Sequence, residues 1–140
     1  MNIEIEKVLK WRRQADGFNH MVGIQVEALW EGGSRLPLPL RPELLNPLGS
    51  AHGGTIFTLC DAAAGSAAAS RGQIAVTLNG SINYLYSGKP NETLTAVAKE
   101  RKHGHRTAVY DVDVTDTSGQ CIATATFTMF YTGKTIEDFV

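Results

Sequence analysis

The chain has 140 residues, 43% of them hydrophobic and 19% charged, which is enough apolar material for the core of one domain spanning residues 1–140. Thirteen Lys and Arg residues nearly balance fourteen Asp and Glu residues, so we expect no general attraction to nucleic acid or to an anionic membrane. The two cysteines, Cys60 and Cys121, lie in apolar runs without a CxxC or Cys/His cluster, which argues against a disulfide framework or a structural zinc site.

The amino-terminal residues predict no targeting segment. Residues 1–7 are acidic and lack the apolar run of a signal peptide. The longest stretch of low charge, residues 51–70, is rich in Ala and Gly and carries Asp61, so it is a poor membrane span. We therefore expect a cytoplasmic protein without a membrane partner.

The first half of the chain predicts one helix and two strands. Apolar spacing predicts an amphipathic helix over residues 3–14, and strict alternation predicts a half-buried strand over residues 22–30. Residues 31–34 form a turn signal. The prolines within residues 36–40 restrict that segment to an edge or irregular strand, and residues 41–50 are expected to form a loop.

A long second helix is predicted from Gly53 to about Ser70, because this stretch is rich in alanine and poor in strand formers. From residue 73 the apolar residues recur at every second position. A long strand follows, with polar side chains on one face (Thr77, Asn79, Ser81, Asn83) and apolar ones on the other (Ile74, Val76, Leu78, Ile82, Tyr84, Tyr86).

Three further alternating strands follow after short turns, so the four neighbouring strands are predicted to pair antiparallel as a meander. Their expected inward residues are Leu94, Ala96, Ala98, Ala108, Tyr110, Val112, Val114, Cys121, Ala123, Ala125, Phe127 and Met129.

One apolar sheet face needs a covering layer, and the alanine-rich helix is the candidate. Small residues recur along one helical stripe, Asp61, Ala64, Gly65 and Ala68, which would let a sheet curl closely around the helix. We therefore predict an α+β architecture in which a curved antiparallel sheet wraps a central helix.

Asp61 is the one ionisable carboxyl or base between His52 and Arg71, and it lies on a helix otherwise suited to burial. A buried carboxylate must be paired, hydrogen-bonded or functional. The alternative is an Asp that faces solvent or bonds to a neighbouring strand.

Two glycines open this helix. Gly53 and Gly54 would present free backbone N–H groups and the positive end of the helix dipole to a ligand, without a Cβ in the way. Such a group can stabilise negative charge that develops on a carbonyl oxygen. The alternative is an ordinary glycine turn. His52 and Asn46 are weaker signals alone, since a His before a helix and an Asn-Pro pair are common structural features.

Asn46, the His52-Gly53-Gly54 run six residues later and Asp61 nine residues after the His together resemble the hotdog-fold thioesterases, in particular the phenylacetate-degradation-type acyl-CoA thioesterases. The resemblance covers roughly residues 20–132. It implies the hotdog fold and hydrolysis of an acyl-CoA to free acid and coenzyme A, with coenzyme A as part of the substrate and neither a metal nor a separate cofactor.

The resemblance also implies roles for the motif residues. The thioester carbonyl would lie against the Gly53 amide, with Gly54 beside the substrate, and Asp61 would act as general base or as nucleophile. Asn46 would contact the water or the thioester, and His52 would orient the motif or the thioester. A hydroxyl that helps to place water in some relatives corresponds to Thr77, for which a plain strand threonine is the alternative.

The resemblance further implies a homodimer, commonly paired into a homotetramer, in which the His52 loop of one subunit faces the helix carboxylate of the other. Such shared sites make a second copy of the chain the expected partner. The alternatives are a dehydratase, which uses a His in a motif that this chain lacks, and a non-catalytic acyl-CoA-binding or regulatory module.

Four cations are candidates for binding the phosphates of coenzyme A: Lys89, Arg101, Lys102 and Arg106. All are predicted at or beside turns on one side of the meander, although charged turns are usually only solvated. Relatives often carry an Arg-Pro pair after Tyr-Leu, whereas Lys89-Pro90 comes later here, so phosphate recognition is expected to have shifted to Lys89 or Arg106.

Overall fold

The computed structural model describes residues 3–14 and 17–140. Helix α1 (Ile3–Gln14) follows the predicted bounds and buries Ile5 and Val8 in the core. Helix α2 (Phe18–Val22) is a single turn, and helix α3 (Gly53–Ala69) runs through the centre of the fold. No helix in these described stretches has the length and apolar character needed to cross a membrane.

The strand predicted over residues 22–30 is wrong in its first part. Strand β1 covers only Ala28–Trp30, although burial still alternates along the preceding residues 24–27. Two arginines explain the difference. Arg13 donates to the carbonyls of residues 26 and 27, and Arg41 to those of residues 21 and 22. Side chains thus satisfy backbone groups that a longer strand would have paired.

Strand β2 (Gly33–Pro39) pairs with β4 along its whole length and with β1 only over Gly33–Arg35. Pro37 and Pro39 lie beyond β1, where one edge of the strand has no partner strand, so the predicted edge character is confirmed. The predicted loop follows, with a 3-10 turn at Pro42–Leu44.

Strands β3 (Gln73–Tyr84), β4 (Thr93–His103), β5 (Thr107–Thr115) and β6 (Cys121–Thr135) complete an antiparallel six-stranded sheet of order β1-β2-β4-β5-β6-β3. The predicted meander is therefore right for β4 to β6 and wrong for β3. Because β4 already has β2 and β5 on its two edges, β3 pairs with β6 instead. This arrangement leaves β3 at one edge of the sheet.

The face of β3 changes part-way along the strand. Its pairing with β6 shifts by one residue between Thr77 and Asn79, so Thr77 and Gly80 both face α3. The single apolar face predicted from residue 74 to residue 86 is therefore wrong. Leu78 is 59% exposed, and the predicted polar-face residue Thr77 bonds to Asp61 of α3 while remaining exposed. Sequence alternation cannot reveal such a bulge, because it adds one residue to one strand only.

Gly80 allows the sheet to approach the helix closely. A Cβ there would stand 2.5 Å from Phe127 and 2.9 Å from Phe57, whose rings pack with centroids 5.3 Å apart. A second register shift, near the start of β6, buries Ile122 and leaves Cys121 only half-buried, contrary to the predicted inward position of Cys121.

Most of the circumference of α3 is buried. Within the predicted stripe, Ala64 and Ala68 are fully buried, but Asp61 and Gly65 are only half-buried, so the stripe is not the sheet-facing side as a whole. The physical reason is that a carboxylate inside the sheet would lack water. Asp61 and Gly65 therefore lie along the less covered side of the helix.

A charged cluster fastens the carboxyl end of α3 to the sheet. Arg71 binds Glu100 on β4 at 2.8 Å and Glu31 at 2.5 Å. The Tyr110 hydroxyl also donates to Glu100, at 3.2 Å. Burial raises the pKa of Glu100, but the hydrogen bonds and charge of Arg71, with the hydroxyl, lower it on balance.

Candidate active site

The amino terminus of α3 leaves one backbone amide available. His52 caps the helix, and its Nδ1 accepts a hydrogen bond of 2.8 Å from the Gly54 amide. The His52 carbonyl oxygen accepts hydrogen bonds from the amides of Thr55 and Ile56. The Gly53 amide has no acceptor among the described residues, so it is the group able to bind an oxyanion. A neutral His52 would carry its ring hydrogen on Nε2.

Tyr84, which sequence reasoning placed only among the apolar strand residues, lies over this helix terminus. Its hydroxyl donates a hydrogen bond of 2.7 Å to the Gly53 carbonyl oxygen. A Cβ on Gly53 would stand 3.2 Å from the Tyr84 Oη and 3.3 Å from its Cζ. The position therefore leaves little room for any residue other than glycine. The run from Ser81 to Leu85 lies within residues 20–132, the part of the chain that resembles the family, and it was the signal that could have identified Tyr84.

Asn46 closes the turn that precedes the helix. Its side-chain Oδ1 accepts from the amides of Leu48 at 2.9 Å and Ser50 at 3.1 Å. The side-chain NH₂ group has no partner among the described residues and stays available to a ligand. Asn46, Gly53 and Tyr84 line one open cavity of about 520 Å³, and we call these three residues the amide cluster.

Asp61 is held by a neighbouring strand. The Thr77 hydroxyl donates to Asp61 Oδ1 at 2.6 Å, and its oxygen lies 3.5 Å from the Met129 sulfur. Asp61 Oδ2 has no partner within the described part of the chain. We call Asp61 and Thr77 the carboxylate pair. No group of three or more His, Cys, Asp and Glu side chains lies close enough together to hold a metal ion among residues 3–14 and 17–140.

The amide cluster and the carboxylate pair are separate within one chain. Asp61 follows Gly53 by eight residues of α3, a rise of about 12 Å along the helix axis. The structure thus brings Asn46 and Gly53 together and brings Asp61 and Thr77 together, but it does not join the two groups. A single thioester carbonyl cannot contact both groups of the same chain.

The four predicted phosphate-binding cations do not lie on one side of the sheet in a single chain. Lys89 precedes β4, whereas Arg101, Lys102 and Arg106 lie at or just beyond its far end, so the predicted common side is wrong within one protomer. The topology explains this, because the chain enters β4 at one end of the sheet and leaves it at the other.

These cations also differ in their partners. Arg101 forms an ion pair with Asp111 on the adjacent strand. The hydrogen bonds to Asp111 and its negative charge raise the pKa of Arg101. Lys102 is exposed at a register shift of β4. Arg106 lines a surface cleft of about 370 Å³ together with Lys134. Arg106 is therefore better placed than Arg101 to meet a phosphate.

A family comparison identifies the protein class. Residues 48–123, more than half of the chain, match the model of the family described as "Thioesterase superfamily". The chain belongs to the thioesterase superfamily. The matched segment contains Gly53, Asp61, Thr77 and Tyr84, and so includes most of the site described above.

Individual relatives within the thioesterase superfamily narrow this class. The acyl-coenzyme A thioesterase PaaI of Escherichia coli is 33% identical over 102 residues, 73% of each chain. The solved E. coli PaaI structure covers 94% of this chain and 98% of its own, with a TM-score of 0.87 and 28% identity. A hypothetical thioesterase from Streptococcus pneumoniae, solved with coenzyme A, is 40% identical with a TM-score of 0.77, over 80% of this chain and 88% of its own.

Together these matches confirm the predicted family and fold. The protein is a PaaI-like thioester hydrolase with the hotdog fold, in which a curved antiparallel sheet wraps α3.

Proposed function

We propose that this thioesterase hydrolyses an acyl-coenzyme A to the free acid and coenzyme A, at a site formed by the amide cluster of one chain and the carboxylate pair of a second copy. The observation that carries this proposal is the separation of about 12 Å between Gly53 and Asp61 along α3. The E. coli relative is named an acyl-coenzyme A thioesterase, and the S. pneumoniae relative was solved with coenzyme A, which supports this substrate class.

The amide cluster would bind the thioester carbonyl. Hydrolysis builds negative charge on the carbonyl oxygen, and the unpartnered Gly53 N–H at the first turn of α3 offers a hydrogen bond reinforced by the helix dipole. The NH₂ group of Asn46 and Nε2–H of a neutral His52 are further donors, available to the attacking water or the thioester. The Gly54 amide is already used by His52, which leaves Gly54 a packing contact with substrate.

The carboxylate pair would supply the nucleophile. Asp61 Oδ1 is fixed by Thr77, so Oδ2 is the oxygen that can take a proton from water or attack the carbonyl directly to give a mixed anhydride. Two structures of the S. pneumoniae relative carry an Asp-to-Ala and a Thr-to-Ala substitution sixteen positions apart, the same spacing as Asp61 and Thr77. This spacing supports a functional role for both residues here.

The free edge of β3 suggests how a second copy would bind. β3 has 12 residues and pairs only with β6, so a long row of backbone groups has no partner among the described residues. An exposed edge of this length favours pairing with another strand. Antiparallel pairing with the β3 of a second chain, about a two-fold axis, would bring the start of one α3 towards the carboxylate pair of the other. A homotetramer would pair two such dimers.

Coenzyme A would leave this shared site along its polar rim. Lys89 directly follows Gly88, which lines the same cavity as Gly53. Arg106 lies in its own cleft with Lys134, at the other end of the sheet. We propose Lys89 and Arg106 as phosphate contacts, with Lys102 as a weaker candidate and Arg101 committed to Asp111.

Thiol release from a panel of acyl-CoA substrates tests this function. The wild-type protein should turn over at least one substrate, and Asp61→Asn should lower kcat by about 10²- to 10⁴-fold, the usual contribution of a positioned base. Asp113→Asn makes the same chemical change at an exposed strand position and should leave kcat unaltered. Binding of acyl-CoA without thiol release, or normal turnover by Asp61→Asn, would contradict the proposal.

A further inference from the structure

A small chamber lies beneath α1. It has a volume of about 100 Å³ and is enclosed by α1, the segment at residues 19–26, β2 and α3. Its walls are largely apolar, but four side chains with hydrogen-bond donors line it: Trp11, Arg12, Asn19 and Ser66. The proposed hydrolysis uses none of these residues. The chamber is smaller than the roughly 150 Å³ of a cavity that accepts benzene, so it fits a compact polar group and not an aromatic ring.

Ser66 carries an unused hydroxyl in this chamber. Its side chain is fully buried, and its Oγ has no hydrogen-bond partner in the described structure. A helical serine commonly donates to the carbonyl four residues earlier, which here belongs to Ala62. Ser66 makes no such bond. Because a buried hydroxyl without a partner is unfavourable, Ser66 points to a ligand atom or water that accepts its hydrogen.

Arg12 brings positive charge to the same place. Its Nη2 lies 3.4 Å from the Ala62 carbonyl oxygen, a long hydrogen bond, and its guanidinium lies 5.8 Å from the centre of the Trp11 ring. No carboxylate among the described side chains lies within ion-pair distance. By contrast, the neighbouring Arg13 makes two backbone hydrogen bonds of 3.0 Å. Arg12 therefore keeps donors for an anionic partner.

The surroundings of Arg12 agree with this interpretation. Burial lowers its pKa, and the negative charge of Asp61 partly opposes that effect. Arg12 thus lies close enough to the carboxylate pair to sense its charge, yet forms no ion pair with Asp61. Ser66 and Asn19 line the same chamber as the guanidinium and supply further donors for an anion bound there.

Gly65 connects the carboxylate pair to Arg12. It lies one helical turn after Asp61, a distance of about 6 Å, and is half-buried on the same side of α3. A Cβ at this position would stand 3.6 Å from Arg12 Nη2, so no side chain of α3 intervenes between Asp61 and the guanidinium. An acyl group whose carbonyl lies at Asp61 could run over Gly65 and end at Arg12.

We infer that Arg12 and Ser66 form a specificity site for acyl groups that end in a carboxylate, a few methylene groups beyond the thioester carbonyl. This inference rests on the proposed acyl-CoA hydrolysis. The substrate class is the mono-coenzyme A thioester of a short aliphatic dicarboxylic acid. In its hydrolysis the C–S bond breaks and a C–O bond forms to the oxygen of water. One proton of that water goes to the departing thiolate of coenzyme A and the other is released from the new carboxylic acid, while the distal carboxylate stays unchanged.

Matched substrate pairs test the inference. Adipoyl-CoA and hexanoyl-CoA have the same number of acyl carbons and differ in the terminal carboxylate, as do glutaryl-CoA and pentanoyl-CoA. The wild-type protein should favour the carboxylated member of each pair by at least about 10-fold in kcat/KM. Arg12→Gln should abolish or reverse this preference, chiefly by raising KM for the carboxylated substrates, and should leave kcat for the neutral ones within about two-fold.

Two further variants keep the test decisive. Ser66→Ala should reduce the preference by about three- to ten-fold, and it should fold normally because the hydroxyl bonds to nothing in the described structure. Lys10→Gln removes the same charge from an exposed position of α1 and should change nothing.

Hydrolysis of the neutral substrates without any preference for the carboxylated ones would overturn the specificity site and leave the thioesterase proposal intact. Failure to hydrolyse any acyl-CoA would overturn the proposed function itself.

Discussion

The Thr77 hydroxyl donates a hydrogen bond of 2.6 Å to Asp61 Oδ1, and this contact joins the edge strand β3 to the central helix. It fixes one carboxylate oxygen and leaves Oδ2 without a partner among the described residues. A carboxylate held in this way keeps one orientation towards an incoming water or thioester, which is the requirement for a base or nucleophile.

Removing that hydroxyl should slow catalysis while the fold survives. We expect Thr77→Val to lower kcat about 10-fold, because one hydrogen bond to a charged group is lost, and Thr77→Ser to restore most of the activity. Thr126→Val is the matched control, since Thr126 donates to Asp111 at 3.3 Å on the outer face of the sheet. Equal losses in Thr77→Val and Thr126→Val would show that the effect is one of general stability.

Gly53→Ala should lower kcat more than it raises KM. The added Cβ would stand 3.2 Å from Tyr84 Oη and would crowd the amide proposed to bind the developing oxyanion, so we expect a loss of about 10- to 100-fold. Tyr84→Phe removes the hydroxyl that bonds the Gly53 carbonyl but keeps the ring, and should cost about three-fold or less. A loss in Tyr84→Phe as large as that in Gly53→Ala would assign the effect to Tyr84 and not to the amide.

Mixed dimers should recover activity from two inactive parents. In a dimer of Asp61→Asn and Gly53→Val chains, one site holds both intact groups and the other holds neither. At equal mixing with random exchange, activity should reach about a quarter of the wild-type value, since half of the dimers are hybrids with one working site each. Native mass spectrometry can confirm the exchange. A mixture that exchanges but stays inactive, or an active monomer in sedimentation, would disprove the shared site.

The ion pair between Arg71 and Glu100 should make the free energy of unfolding depend on pH in the acidic range. The pKa of Glu100 is lowered in the folded protein, so its contribution is full above the ordinary value of 4.5 and is lost as the pH falls through the folded value. Glu100→Gln should lower the unfolding free energy by about 1–3 kcal/mol near pH 7 and by less near pH 3. Denaturant melts at both pH values would show this, and an equal loss at both would contradict the ion-pair explanation.

Local sequence patterns were sufficient to predict much of the fold. Helical spacing placed α1, alanine content placed α3 almost to the residue, and alternation located β4 and β5. These elements follow from near-neighbour preferences and from the side that each buries. The motif spacing also selected Gly53 and Asp61, whose positions on one helix are set by residue count alone.

Other features depend on contacts between distant parts of the chain. The pairing of β3 with β6 arises because β4 already has two neighbours, and no local pattern records this. The irregular segment before β1 depends on Arg13 and Arg41, which bond its carbonyls from other elements. The chamber at Arg12 requires α1 to lie against α3, so sequence spacing could not have indicated it.

The register shift in β3 determines which substitutions and deletions this strand can accept. Thr77 and Tyr84 are seven residues apart, an odd number that would place them on opposite faces of a regular strand, yet both face α3. Leu78 lies at the shift, so its presence sets the register on either side of it. Replacing Leu78 by another residue keeps the number of residues and should leave both side chains facing α3. Deleting it would turn either the threonine or the tyrosine away from the helix, so this strand is constrained in length far more than in composition.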